Sequence, residues 1–209
     1  MHVVARCNNR EFYLTTPQDF ERVLATLRGM LQTSDVTLYT NTLMGNHVHL
    51  LLQAPKADAL GRPFRRFRTE TAKVFHRVRL RRGHFWGLRY HTWLVEEDTY
   101  TLAALRYLDR NPVRAWLIED PATYPWSSCA TYAWRRDNPL IVYHPSYLTL
   151  SPSPKVRQRH YRVLLAPTAD PRADARDPRW TTHRAVGSPS FMARYRARRG
   201  RRKTSAMPL

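Results

Sequence analysis

The pattern of apolar and polar side chains divides the first half of the chain into four strands and three helices. Alternating or short apolar runs predict strands at residues 2–7, 35–43, 47–53 and 89–96. Apolar side chains at helical spacing predict helices at residues 17–32, 58–80 and 98–110. The order strand, helix, strand, strand, helix, strand favours an α+β fold, a ferredoxin-like βαββαβ antiparallel sheet with both helices on one face. The third helix is then expected as an addition that does not cover the sheet.

The third predicted strand carries a pair of histidines. Side chains alternate between the two faces of a strand, so His47 and His49 project from one face and Val48 and Leu50 from the other. Two imidazoles at this spacing can hold one divalent metal ion. Two ordinary strand histidines are the more frequent explanation of an isolated His-x-His pair, so the rest of the chain has to decide between them.

The charge balance indicates a polyanionic partner. The 209 residues carry a formal net charge of +19, and a protein this basic usually binds nucleic acid. An anionic membrane surface or a ribosome is the alternative. No apolar run approaches the ~18 residues of a membrane-spanning helix, so no transmembrane helix is predicted. Nucleic acid is the first candidate, and we expect no membrane partner.

The cysteines and the N-terminus indicate a reducing compartment. Cys7 and Cys129 lie far apart and outside any Cys-x-x-Cys pair, which argues against a disulfide framework and against a cysteine zinc site. The first residues lack the layout of a signal peptide. We therefore expect a cytoplasmic protein.

The second predicted helix concentrates positive charge. Its single acid is Glu70, and unpaired cations this dense would repel one another unless phosphates lay between them. A solvated helix face is the more common role of such a run. The turn after this helix holds Phe85 and Trp86, which look exposed enough to stack on bases, although packing under the loop fits Trp86 equally well. The cations of this predicted helix and of the residues just after it are Arg62, Arg65, Arg66, Arg68, Lys73, Arg77, Arg79, Arg81 and Arg82.

The third predicted helix carries a tyrosine and an asparagine one turn apart. Tyr107 and Asn111 share a face if the helix continues, and Pro112 indicates that it ends at Asn111. Without further context, a packed core tyrosine and a helix-end asparagine remain the more frequent explanations.

The remainder of the chain is rich in proline, aromatic residues and arginine. We interpret 113–135 as an irregular segment packed through its aromatic side chains, and 166–182 as a loop or linker. A short basic helix with a frayed end is expected at 191–203. The predicted organisation is one domain at 1–135 followed by an irregular, basic extension at 136–209.

Five short motifs resemble those of the REP-associated tyrosine transposases. Residues 44–52 are similar to the HUH motif (histidine, hydrophobic residue, histidine) of single-tyrosine transposases. Arg-Cys-Asn-Asn-Arg at 6–10 resembles that family's Arg-Gly-Asn-Asn-Arg, and Gly-His-Phe-Trp at 83–86 resembles its Gly-x-Phe-Trp-Gln. Residues 106–115 and Tyr-Pro-Trp-Ser-Ser at 124–128 match two further motifs. The similarity covers about residues 2–135, with the motifs in the family's order.

The resemblance implies a set of catalytic residues. Tyr107 would be the nucleophile that attacks a DNA phosphodiester and forms a 5′-phosphotyrosine, and His47 and His49 would bind Mg²⁺ or Mn²⁺. Two imidazoles hold such a hard cation weakly, so a third ligand with an oxygen donor is expected. Asn111 is our hypothesis, because related transposases place a glutamine one turn after their tyrosine. The alternative ligands are Glu96, Glu97 and Asp98.

The resemblance also implies a partner, a single-stranded or hairpin DNA of the repetitive extragenic palindrome type, met in the bacterial nucleoid. Contacts near the hairpin foot are expected from Arg6, Asn8, Asn9 and Arg10. Salt-dependent phosphate contacts are expected from Arg65, Arg66, Arg68, Lys73, Arg77, Arg81 and Arg82.

Three positions depart from the family pattern. Gly45 stands where proline is usual, and Cys7 and Trp116 stand where glycine is usual. If residue 7 needs a positive φ or a close phosphate approach, Cys7 would impair DNA binding.

Two alternative functions stay open. One is a DNA-binding protein of the same fold that has lost cleavage, and the other, from composition only, is a basic protein that binds RNA or the ribosome. The sequence does not determine whether the protein is a monomer or a homodimer.

Overall fold

The structure, a computed structural model, describes residues 1–56, 58–96, 99–167, 180 and 184–204, with only the backbone of 99 and 198–204. The first half contains β1 (His2–Arg6), α1 (Pro17–Gln32), β2 (Thr37–Met44), β3 (His47–Gln53), α2 (Gly61–Arg79), β4 (His91–Val95) and α3 (Thr99–Asp109). The second half contains α4 (Asn111–Arg114), α5 (Cys129–Trp134), α6 (Pro145–Leu148), α7 (Pro154–Leu165), β5 (Ala185–Val186) and α8 (Pro189–Thr204).

The strands form one sheet in the order β2-β3-β1-β4-β5. The first four are antiparallel to their neighbours, and β5 pairs parallel to β4 at the edge. The predicted α+β class is confirmed, with the short parallel strand as an addition that makes the sheet mixed. Across β1 and β3, Val4 lies opposite His49 and Arg6 opposite His47, which places all four side chains on one face.

Helices α1 and α2 cover the other face of the sheet. Helix α1 begins with a capping box, in which Thr16 and Asp19 satisfy each other's backbone, and Pro17 occupies the first helical position. The apolar sides of α1 and α2 join the inward side chains of the strands in one cluster that includes Val48, Leu50, Phe64 and Phe67. Both helices therefore lie where the sequence predicted.

Helix α3 packs on the sheet face that carries the histidines. Leu105 and Leu108 are fully buried there, in a cluster with Tyr39 of β2 and Leu51 of β3. The expectation that this helix would leave the sheet uncovered is therefore wrong. Its apolar side chains would otherwise face water, and the sheet's second face needs cover as much as the first.

The described residues of the C-terminal half contain more helix than the sequence predicted. Tyr132 of α5 and Tyr161 of α7 are wholly buried, and they share a cluster with Tyr147 and the side chains of α3. The boundary at residue 135 remains a prediction, although residues on both sides of it pack into this one cluster. In the described part of the chain, no helix is long and apolar enough to cross a membrane.

The aromatic turn after α2 is buried rather than exposed. Phe85 and Trp86 are 1% and 7% exposed, and the Trp86 indole Nε1 donates a hydrogen bond to the Arg68 carbonyl at 3.0 Å. These rings close one end of the α1–α2 core, so stacking on bases is not their role here.

Candidate functional site

The two histidines of β3 lie side by side near the start of the strand. Their ring centroids are 4.8 Å apart with the planes at 75°. His47 Nδ1 lies 2.6 Å from Asn46 Oδ1, and His49 Nδ1 lies 2.9 Å from His2 Nε2. Because Asn46 Oδ1 can only accept, the His47 proton is on Nδ1 and its Nε2 is the basic nitrogen.

The tyrosine of α3 reaches the same face of the sheet. The Tyr107 ring centroid lies 6.4 Å from that of His49, although the two residues come from elements far apart in the chain. Tyr107 is 9% exposed, so the surrounding fold fixes the ring. The guanidinium of Arg114 lies 4.3 Å from the centre of this ring and also donates a hydrogen bond to the Tyr107 carbonyl. Tyrosine, histidines and a cation therefore meet in one place.

Asn111 follows Tyr107 by one turn, at the first position of α4. Its Nδ2 donates to the carbonyls of Tyr107 at 3.1 Å and Leu108 at 3.3 Å. With its amide nitrogen turned to the helix end, Oδ1 is the atom left for a ligand.

Glu96, the one alternative metal ligand that the structure describes, is engaged away from the histidines. Glu96 binds the start of α8, where its carboxylate accepts from the Ser188 backbone N–H at 2.5 Å and from the Ser188 hydroxyl at 3.1 Å. Glu97 and Asp98 lie outside the described residues. Among the described residues, no group of three or more His, Cys, Asp or Glu side chains is arranged so that it could hold a metal ion by itself.

The residues present fit a weakly held divalent cation. Both imidazoles are engaged through Nδ1 by a neighbour, and such an outer bond orients a ligand ring and leaves Nε2 to face a metal. Two imidazole nitrogens and one amide oxygen would leave further positions for water and phosphate oxygens, as Mg²⁺ and Mn²⁺ require.

Burial keeps His49 and His2 neutral. Desolvation lowers the pKa of His49 well below its usual value, and the charges of His47, His2, Arg114 and Arg6 act in the same direction. Desolvation, together with the N-terminal ammonium group and His47, lowers the pKa of His2 to about 3. Neutral imidazoles are the form that binds metals.

Two aromatic neighbours of the site escaped the sequence analysis. His2 lies between His49, which it meets at a centroid distance of 5.2 Å, and Trp93 at 5.0 Å. Trp180 stacks on Tyr107 at 5.4 Å although it belongs to a stretch interpreted as a linker. Strand alternation could have placed His2 on the His49 face once the pairing of β1 with β3 was known. No pattern in the sequence indicates the contact of Trp180.

The N-terminal motif borders the histidine face. Arg6 lies opposite His47 in the ladder, and the short 3-10 turn Asn8–Arg10 follows it. The Asn46 side chain donates to the Arg10 carbonyl at 2.9 Å and so ties this turn to the histidine strand. Arg6, Asn8, Asn9 and Arg10 are thus close in space to the site, and their contact with DNA stays a prediction.

The cations of α2, which Arg81 and Arg82 follow directly in the chain, lie on the opposite side of the sheet from His47 and Tyr107. Arg68 is half-buried and donates to the Gly87 carbonyl, and Arg81 donates to the Tyr13 hydroxyl at 2.7 Å. Both therefore have structural partners, which the charge pattern could not indicate. Weaker contacts at the surface join Arg66 to Thr33 and Lys73 to Glu70, whereas Arg65, Arg77 and Arg82 are exposed.

Comparison with known proteins shows the family and the fold of the chain. A profile of the family described as "Transposase IS200 like" matches residues 1–111, more than half of the chain. The chain belongs to this family. A solved structure titled as a REP-associated tyrosine transposase bound to a REP hairpin is similar to it, with a TM-score of 0.52 and 16% identity. The similarity covers 69% of this chain and 85% of that one. No curated protein matches the chain.

The three residues that depart from the family pattern differ in their backbone conformation and surroundings. Cys7 has an extended backbone with φ −60°, so its position does not need glycine. A Cβ atom at Gly45 would lie 2.8 Å from Phe12 Cδ1, so the turn into β3 is tight. Trp116 has φ 57°, in the left-handed region that favours glycine, and its side chain is 95% exposed.

Proposed function

We propose that the protein is a metal-dependent transposase that cleaves and rejoins single-stranded DNA through a 5′-phosphotyrosine at Tyr107. The observation that supports this most directly is the placement of the Tyr107 ring against His49, 6.4 Å between centroids, by two elements that the chain brings together only on folding. A protein that only binds DNA has no need for this combination of residues.

Tyr107 would act as the nucleophile. Its Oη attacks the phosphorus of a phosphodiester, the bond from phosphorus to the 3′ oxygen breaks, and the departing oxygen takes a proton from water while the phenolic proton leaves to solvent. The products are a phosphotyrosine at the 5′ end and a free 3′-OH. Because the new ester preserves a phosphodiester, a 3′-OH can reverse the step and join strands.

The surrounding residues would prepare this step. A phenol is a poor nucleophile at neutral pH, since its usual pKa is near 10. A divalent cation on His47, His49 and Asn111 supplies Lewis-acid polarisation of the phosphate when bound. Arg114 holds Tyr107 from the ring face and from its carbonyl, which limits the directions in which the hydroxyl can point.

Hairpin DNA of the repetitive extragenic palindrome type is the proposed substrate. The similar solved structure is named for a REP hairpin complex, and the net charge of +19 supports a polyanionic partner. Arg6 and the Asn8–Arg10 turn border the histidines, so they are the proposed contacts closest to the cleaved phosphate. The exposed cations of α2 would bind DNA that continues around the edge of the sheet.

The alternative is a DNA-binding protein of the same fold without cleavage. The one observation that favours it is the cover on Tyr107, which is 9% exposed and stacked by Trp180. A DNA strand would have to reach the hydroxyl of a residue that is almost buried as a whole.

An adduct assay separates the two functions. The protein is incubated with end-labelled single-stranded hairpin DNA and Mn²⁺ and then run on a denaturing gel. We expect a protein–DNA band that survives denaturation and disappears in Tyr107→Phe. The matched control is Tyr100→Phe on the same helix, which should retain the band. Salt-sensitive binding without any adduct, over varied hairpins and metals, would favour the alternative.

A further inference from the structure

We infer that His2 is a positioning residue for the metal ligand His49, and that it acts through His49 without touching DNA or metal. The inference rests on the proposed function, because it needs a metal at His47 and His49. It starts from one contact. His2 Nε2 lies 2.9 Å from His49 Nδ1, and both side chains are buried, at 0% and 5% exposed.

The strand register brings the two rings together. His2 lies opposite Leu51 in the β1–β3 ladder. Val4, the next residue of β1 on the same sheet face, lies opposite His49. The His2 and His49 rings are therefore diagonal neighbours on one face, stacked with centroids 5.2 Å apart and planes at 20°. The hydrogen bond follows from the sheet itself rather than from a flexible loop.

Its other neighbours prevent the His2 ring from turning away. Trp93 of β4 stacks on it with centroids 5.0 Å apart, and Tyr107 and Trp180 meet it edge-on at 6.1 and 6.0 Å. A ring packed on this many sides has one orientation and can impose it on its hydrogen-bonded partner. His2 also contacts both the metal-ligand side and the tyrosine side of the site.

The protonation states follow from the geometry. If His49 binds a metal through Nε2, its proton is on Nδ1 and is donated to His2 Nε2. His2 must then carry its own proton on Nδ1. That atom is buried and has no hydrogen-bond partner among the described residues.

An unpaired buried nitrogen makes a purely structural role for His2 costly. A phenylalanine would fill the same aromatic niche without a polar atom to desolvate. The imidazole of His2 is therefore best explained by the hydrogen bond that its Nε2 accepts from His49 Nδ1–H. This bond directs Nε2 of His49 toward the metal.

A metal titration of the 209-residue chain tests this inference. Co²⁺ is the probe, because it binds imidazole more tightly than Mn²⁺ and its visible absorption reports the ligands. For His2→Phe we expect a 10–100-fold weaker Co²⁺ affinity, the usual loss when an outer partner of a ligand is removed. The melting temperature should be unchanged or higher. For His2→Gln, whose side-chain oxygen can accept from His49 Nδ1, most of the affinity should return.

Two controls separate the possible outcomes. His160→Phe removes an exposed histidine of α7 and should leave Co²⁺ binding unchanged, whereas His47→Ala should abolish it. If His2→Phe keeps the wild-type affinity, or if His2→Gln binds no better than His2→Phe, the positioning role is overturned while the metal site stands. If wild type and His47→Ala bind Co²⁺ alike, the metal site itself is wrong and the role of His2 falls with it.

Discussion

Asp109 is expected to make the free energy of unfolding vary with pH by up to about 3 kcal/mol, and replacing it by asparagine should abolish this variation. Asp109 follows Tyr107 on α3 and is fully buried. Its carboxylate accepts from the Tyr161 hydroxyl at 2.6 Å and from the Thr40 hydroxyl at 3.3 Å. Burial raises the pKa of Asp109 to about 6, from the usual 3.8, against the opposing effect of hydrogen bonds from Tyr161, Cys129 and Thr40.

The direction of the effect follows from this raised pKa. The folded protein binds the Asp109 proton more tightly than the unfolded chain does. The stabilisation is therefore complete below about pH 4 and is lost as the pH rises through about 6. A difference of about two pKa units corresponds to about 3 kcal/mol, of which about 2 kcal/mol falls between pH 4.5 and pH 7.5.

Urea unfolding of wild type and Asp109→Asn at these two pH values measures the effect. Asparagine keeps an oxygen for the Tyr161 hydroxyl and carries no charge. We expect the stability of the variant relative to wild type to rise by about 2 kcal/mol from pH 4.5 to pH 7.5. Asp35→Asn, at an exposed position, is the control for the loss of one carboxylate and should parallel wild type. A relative stability of Asp109→Asn that does not change with pH would refute the reasoning.

Three further predictions concern Trp116 and the arginines of α2. Trp116→Gly should raise the free energy of unfolding by about 1 kcal/mol, because glycine adopts the φ of 57° without strain; a loss of stability in urea unfolding would contradict this. Removing the exposed cations Arg65 and Arg77 together should lower the slope of log affinity against log salt by about 1.5 in DNA anisotropy titrations, without a change in melting temperature. Arg68→Ala should instead lower the melting temperature, because its guanidinium bonds the Gly87 carbonyl. An unchanged slope in the double variant would exclude these α2 cations from the DNA contact.

Local patterns predicted the sheet and its two first helices because each signal lies within one element. The alternation of β3 fixes which face holds His47 and His49, and Thr16 and Pro17 mark the start of α1. Helix spacing likewise placed Tyr107 and Asn111 one turn apart, and the structure joins them through the Asn111 amide.

The remaining features depend on contacts between distant segments. The role of His2 requires the register of β1 against β3, and the stacking of Trp180 on Tyr107 joins residues that no periodicity connects. Charge density alone could not show that Arg68 turns inward. Nor could it show that α2 lies on the opposite sheet face from the histidines, since a helix pattern gives the apolar side but not the location of the site.

The most direct test of the central claim is the chemical identity of the DNA attachment site. The adduct formed with hairpin DNA and Mn²⁺ is digested with nuclease and protease, and the peptide that retains a nucleotide is sequenced by tandem mass spectrometry. The proposed mechanism predicts a 5′-phosphate on the hydroxyl of Tyr107. A nucleotide on Tyr100 or any other side chain, or no adduct with a hairpin that the protein binds, would contradict it.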